Sequence, residues 1–137
     1  IYLRPASPFI ADFVGHSNIL AGQAQQLAGG GSAVILPDAQ VLHLSRQPAG
    51  ELSGKVNVAI RPEHLRLVPG MASGLEQNVV RGKIIQRDFL GTHFEYLVTV
   101  GADVLRVKAG HEAEIGDTLV ELPEVHCMAF GAAHVPA

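Results

Sequence analysis

The residues in this chain that could do chemistry are a few lysines and arginines, a set of carboxylates, seven histidines and one cysteine. "GELSGKV" (Gly50 to Val56) has the glycines and the lysine of a phosphate-binding loop. It lacks the spacing: only three residues separate Gly50 from Gly54, and Val56 stands where Ser or Thr would offer Mg²⁺ a hydroxyl. The segment reads as a turn between strands, and the chain is expected neither to bind nor to hydrolyse ATP. "GGGS" (Gly29 to Ser32) could cradle an anion with backbone N–H groups, but no helix pattern follows it, and a hairpin loop is the expectation. The histidines stand at 16, 43, 64, 93, 111, 126 and 134, never at a tight ligand spacing. His126 and Cys127 are adjacent, and neighbouring strand residues face opposite ways. Scattered surface histidines are therefore expected, and no metal site. Ser, His and Asp occur without an elbow that presents a nucleophile. Glu112 and Glu114 in "GHEAEIGD" read as solvated rather than as a catalytic pair. Arg81, Lys83 and Arg87 alternate along one strand without the aromatic platforms of nucleic-acid-binding barrels. No catalytic, cofactor-binding or metal-ligating residue is assigned.

Composition narrows the class. The chain has 137 residues, 47% hydrophobic and 17% charged, which suits one globular domain or two very small ones sharing a core. A net charge of −3 argues against a nucleic-acid partner. Apolar runs of four or five residues are too short to span a membrane. With one cysteine, Cys127, and no visible signal peptide, a reducing cytoplasm is the expected setting.

The opening "IYLRPASPFIADFVG" reads as a short helix in a piece of something larger. Ser7 can cap it, Pro8 suits its first turn, and Gly15 can end it. Phe9, Ile10, Phe13 and Val14 share one face that needs cover. Beyond Gly15 the pattern is that of strands: Asn18–Ala24, Ala33–Leu36, Gln40–Leu44, Val56–Ile60, Leu65–Val68, Asn78–Arg87, His93–Val100, Val104–Lys108 and Thr118–Leu122. The clearest is "THFEYLVTV", with Phe94, Tyr96, Val98 and Val100 on one face and His93, Glu95 and Thr99 on the other. Leu97 breaks the polar face, which suggests that this face is partly covered. Short, closely spaced strands and one short helix predict a mostly β fold of small closed barrels.

"NILAGQAQQ" (Asn18 to Gln26) and "NVVRGKIIQ" (Asn78 to Gln86) share Asn, Gly and Gln at an offset of sixty. Each begins a strand, and Gly22 and Gly82 stand where a strand bends sharply at a barrel corner. Two related barrels, interlaced or sequential, account for the repeat.

One further motif, "VAIRPEHLRL" (Val58 to Leu67), runs from a strand into an Arg61-Pro62-Glu63 turn, where Pro62 stops the strand. Together with "RPASPFIADFVGHSN" upstream and "GKIIQRDFLGTHFEYLV" downstream, which includes a turn at Leu90-Gly91-Thr92, it resembles the C-terminal regulatory domain of an ABC importer ATPase. That domain is of the TOBE (transport-associated OB) type, and the likeness runs from the opening helix to the final "MAF". The resemblance implies a linker helix over residues 1–15 leaving a missing ATPase domain. Residues 16–137 would form a regulatory domain of two OB-like subdomains whose repeats start near Asn18 and Asn78. ATP and Mg would belong to the missing domain, and no cofactor to this fragment. The implied partners are a second copy in a homodimer, with Leu97 as candidate contact, the ATPase domain, and indirectly a membrane permease at the inner face of the cell membrane. Related molybdate-binding barrels carry Ser-Ala-Arg-Asn before the apolar-Gly stretch. Here His16-Ser17-Asn18 lacks the Arg, which argues against oxyanion binding. The alternative reading is a freestanding barrel that binds an oxyanion or a metal.

Overall fold

Alternation of side chains is carried through in the computed structural model, which describes residues 15–45, 53–68 and 78–131. In strand β7 (Phe94–Val100), Tyr96, Val98 and Val100 are buried, while Glu95, Leu97 and Thr99 are only half-buried. The helix expected at Pro8–Val14 lies outside the described residues.

Among the described residues ten strands form two five-stranded sheets, mostly β as the sequence predicts. The first has the order β10-β4-β1-β2-β3, built from β1 (Asn18–Gln26), β2 (Ser32–Ile35), β3 (Val41–Leu44), β4 (Gly54–Ile60) and β10 (Met128–Gly131). The second has the order β5-β9-β6-β7-β8, built from β5 (Arg66–Val68), β6 (Val79–Phe89), β7, β8 (Asp103–Ala109) and β9 (Gly116–Glu121). Every pairing is antiparallel. Each sheet is a three-stranded meander plus two further strands, and the outermost of these two is exchanged. β5 comes from the first half of the chain and pairs with β9, while β10 comes from the second half and pairs with β4. The interlacing is thus reciprocal. β10 was not among the nine expected strands: its four residues "MAFG" carry little β signal, and their pairing is set by a strand some seventy positions away.

The repeat at offset sixty is structural. Asn18–Gln26 and Asn78–Gln86 have the same burial at all nine positions, with Asn, Leu20 or Val80, and Ala24 or Ile84 turned inward. Both strands change partner past their glycine. β1 pairs with β4 over Asn18–Ala24 and with β2 from Gln23 onward. β6 pairs with β9 over Val79–Ile84 and with β7 from Lys83 onward. A Cβ on Gly22 would lie 2.9 Å from the Ile35 carbonyl oxygen, and one on Gly82 would lie 2.8 Å from that of Thr99. The glycines are needed because the neighbouring strand crosses over them at backbone contact. Both sheets contribute to one hydrophobic core, in which Leu20, Val34, Leu42, Val58 and Ile60 meet Val80, Ile84, Val98, Leu105 and Val120.

Candidate functional site

Asn18 and Asn78 open the repeated strands, and each reaches into the other half. The Asn18 side chain donates Nδ2–H to the Arg106 carbonyl (2.7 Å) and accepts the Arg106 N–H at Oδ1 (2.8 Å). Asn78 does the same with His43, donating to its carbonyl (2.8 Å) and accepting its N–H (2.6 Å). Arg106 lies on β8 and His43 on β3, the outer strands of the two meanders. Each asparagine thus acts as a one-residue ladder rung that joins a sheet edge to the opposite repeat. Both are buried, Asn18 at 6% exposure and Asn78 at 4%, so leaving either bond unmade would be expensive. Asn78 has φ +69°, a left-handed conformation that Asn tolerates better than most residues. Gln40 adds a third such contact. Its side chain accepts the Arg81 N–H and donates to the Arg81 carbonyl, occupying the edge of β6 where β7 does not reach.

The other residues singled out from sequence are not gathered into one pocket. Arg61 precedes a 3-10 turn, Pro62–His64, in which Pro62 is buried and Glu63 exposed. Leu90 and Gly91 form the tip of the β6–β7 hairpin, closed by a Leu90 N–H bond to the His93 carbonyl, with Gly91 at φ +91°. Phe89 and Leu90 are exposed there, and Phe89 leans on Phe94 with ring centroids 4.9 Å apart. Leu97 sits opposite Arg106 of β8 and Gln86 of β6. Diagonal to it, across the Thr99–Val104 pair, stands Val104, 55% exposed. Leu97 and Asn18 therefore both neighbour Arg106, Leu97 through the β7–β8 pairing and Asn18 through its side-chain bonds to the Arg106 backbone.

Electrostatics are local. Glu112 pairs with Arg87 at 3.2 Å, and Arg66 with the buried Glu121 at 3.5 Å. An open groove of about 500 Å³ on the second sheet sets Arg81 and Lys83 against Asp117, with Thr99 and Thr118 beside them. The β2–β3 and β7–β8 turns bring Asp38 towards Asp103. Burial first, and the Asp38 charge second, raise the Asp103 carboxyl above its ordinary value. Cys127 is buried, its Sγ directed at the carbonyls of Pro123 (3.5 Å) and Leu122 (3.8 Å). Burial first, and Glu124 second, push the thiol up to about 12. Lys55 and Val56 lie within β4, and Gly50 lies outside the described residues.

The six described histidines are exposed or half-buried, as expected of surface residues, but two of them are not scattered. His126 belongs to a second 3-10 turn, Glu124–His126, not to a strand. Its ring stacks on that of His64, centroids 3.8 Å apart and planes 14° from parallel. His64 Nδ1 is buried without a hydrogen-bond partner. A second echo in the sequence could have indicated this. "RPEH" and "PEVH" each follow an apolar strand, and their histidines are 62 positions apart. Tyr96 was also overlooked as a polar anchor: its hydroxyl donates to the His111 carbonyl (2.9 Å) and accepts the Ala113 N–H (2.6 Å), tying down the β8–β9 loop.

Comparison with known proteins bears on these features together. A family model described as "TOBE domain" matches residues 58–130. The spermidine/putrescine import ATP-binding protein PotA of Trichormus variabilis is 35% identical over 101 residues, covering 72% of this chain and 26% of that protein. The Fe(3+) ions import ATP-binding protein FbpC 1 of Rhizobium meliloti is 31% identical over 109 residues, 78% of this chain and 28% of that protein. The chain spans about a quarter of the length of these curated relatives. Among solved structures, the cytoplasmic molybdate-binding protein ModG, with molybdate bound, superposes with a TM-score of 0.62 at 11% identity, covering 83% of this chain and 95% of that one. At that identity the likeness is one of fold, an OB-like barrel architecture.

Proposed function

The chain belongs to the TOBE domain family, and from that premise we propose that it is the non-catalytic regulatory and dimerisation module of an ABC importer's ATP-binding subunit. The observation that carries this reading is its similarity, over 72% and more of its length, to import ATP-binding proteins of two different solutes. A module shared between polyamine and ferric-ion importers fits a role common to both machines better than recognition of either solute. On this reading ATP and Mg²⁺ bind in a separate ATPase domain, the module holds two subunits together, and its link to a membrane permease is indirect. The working place is then the cytoplasmic face of the membrane. No helix among the described residues is long and apolar enough to cross one. Leu97 and Val104 supply an apolar patch on the outer face of the second sheet for the contact between copies. The coding sequence directly upstream and in frame tests the assignment. A phosphate-binding loop and an ABC signature there support it, and their absence overturns it.

A freestanding oxyanion- or metal-binding barrel is the second reading, and the molybdate-bound fold relative is what favours it. Two features count against it. The position next to Asn18 is Ser17 rather than Arg, and both polar atoms of the Asn18 amide are engaged by the Arg106 backbone.

A further inference from the structure

Strand β6 carries a β-bulge that β1, its counterpart in the first repeat, lacks. Lys83 pairs with Thr99 and Ile84 with Val98, but Gln86, not Ile85, stands opposite Leu97, and the ladder then runs on through Asp88 and Glu95. β1 pairs with β2 in unbroken register. Without the extra residue, Lys83 and Asp88, five positions apart, would point to opposite faces of the sheet. With it, both stand on the face of Glu95, Leu97 and Thr99. Each is two rows from Leu97, Lys83 on one side and Asp88 on the other. The Gln86 amide donates to Asp88 Oδ2 (2.8 Å) and holds the carboxylate on that face. Around Leu97 lie two exposed apolar residues, Ile85 at the bulge and Val104 on β8. Among the described residues neither Lys83 nor Asp88 makes an ion pair, although Asp117 is the neighbour of Lys83 on β9. At an offset of sixty, Lys83, Ile85 and Asp88 correspond to Gln23, Gln25 and Ala28, so the shared fold requires neither the charges nor the apolar residue.

On the dimerisation role proposed above, we infer that this outer face meets the same face of a second copy about a two-fold axis along the row of Leu97, so that Lys83 of each chain pairs with Asp88 of the other. A surface that meets its own copy about an axis in the plane of contact sets each residue against the one equally far beyond the axis. Lys83 and Asp88 satisfy that relation on one strand, with opposite charges. On β7 Thr99 then meets Glu95, and on β8 Val104 meets Lys108, so no like charges are opposed in these rows. On the axis itself, Leu97 meets Leu97 at the centre. Arg106 ends that row on the edge strand β8, where its exposed side chain can turn out to solvent. Packed sheets lie about 10 Å apart, a gap that a lysine and an aspartate side chain span together. Two such pairs at the rim of an apolar centre set which partner and which register are accepted, more than how tightly they bind.

The test is a charge exchange, read by sedimentation equilibrium of the 137-residue chain. Lys83→Asp and Asp88→Lys each oppose two like pairs in the dimer, and each should raise the dimer Kd on the order of tenfold. Both positions are exposed, so the core is untouched. An equimolar mixture of the two variants should associate as tightly as the wild type, because both pairs in the mixed dimer are again of opposite charge. The chain carrying both substitutions should do the same. Lys55→Asp, at an exposed position on β4 of the first sheet, should leave Kd unchanged. Single variants that associate like the wild type, a mixture no tighter than either variant alone, or an equal loss in Lys55→Asp would overturn the pairing and leave the dimerisation role standing. A wild type that stays monomeric overturns both.

Discussion

Asn18→Ala deletes the side chain that joins β8 to the first repeat, and its consequence can be worked from the bonds it removes. Two hydrogen bonds disappear, at 2.7 and 2.8 Å, from a residue 6% exposed. A typical bond contributes about 0.5–1.5 kcal/mol net, and a buried group left unpaired costs about 1–3 kcal/mol. β8 lies at a sheet edge and the Arg106 side chain is exposed, so water can recover part of the loss. The expected destabilisation is therefore about 2–3 kcal/mol. Asn78→Ala should exceed it. Its bonds to His43 are at least as short, and Ala at φ +69° adds roughly 1–2 kcal/mol of backbone strain. For a chain of this size each kcal/mol lowers Tm by roughly 3–5 °C, so urea and thermal denaturation followed by circular dichroism resolve both. Asn18→Asp separates the hydrogen bonds from simple packing. It keeps the acceptor for the Arg106 N–H but turns a carboxylate oxygen towards the Arg106 carbonyl. It should destabilise nearly as much as Ala. If Asn18→Ala loses less than about 0.5 kcal/mol, or Asn18→Asp matches the wild type, the side-chain rungs are not what closes the two halves.

Three further outcomes follow from the same geometry. Cys127 should resist alkylation by iodoacetamide at pH 8 in the native chain and react after unfolding in urea, because its thiol is buried and pushed up to about 12; stoichiometric native labelling contradicts this. The Asp103 carboxyl is raised by burial and Asp38, so its contribution to stability is present at acid pH and lost as pH rises through the folded value. Asp103→Asn should consequently raise Tm at pH 7, with the gain shrinking towards pH 4; a variant less stable than wild type at pH 7 refutes it. Molybdate, tungstate, sulfate and phosphate should each leave Tm unchanged, whereas a true ligand at a hundred times its Kd would add about 2.7 kcal/mol. A clear rise with any of them moves the freestanding binding reading ahead.

Local features of the fold were legible in the sequence, and distant pairings were not. Asn18 and Asn78 announced the repeat, because burial at matching strand positions demands matching residues. Gly22 and Gly82 marked the bends, since a glycine in a strand interior implies close backbone approach. What approaches them, the carbonyls of Ile35 and Thr99, depends on how strands pack and leaves no trace at the glycines themselves. Interlacing of the two barrels was suggested by the repeat, but not that β5 and β10 are the strands exchanged: local pattern sets whether a strand forms, not which sheet receives it. Leu97 was recognisable as an apolar residue on a polar face. The two histidines carried only the faint echo of "RPEH" and "PEVH", because their contact is made by the folding of the two halves together.

Sedimentation equilibrium of the chain, from about 1 to several hundred micromolar, tests the proposed dimerisation role most directly. A symmetric interface uses the same patch on both copies, and a stable one typically buries about 1,200–2,000 Å² in total. Reversible association of 14.5 kDa chains into a species of twice that mass is the expected result. Leu97→Asp should weaken association strongly, and His93→Asp, just before the same strand, should weaken it less. A wild-type chain that stays at 14.5 kDa across the whole range would contradict dimerisation as a property of this domain.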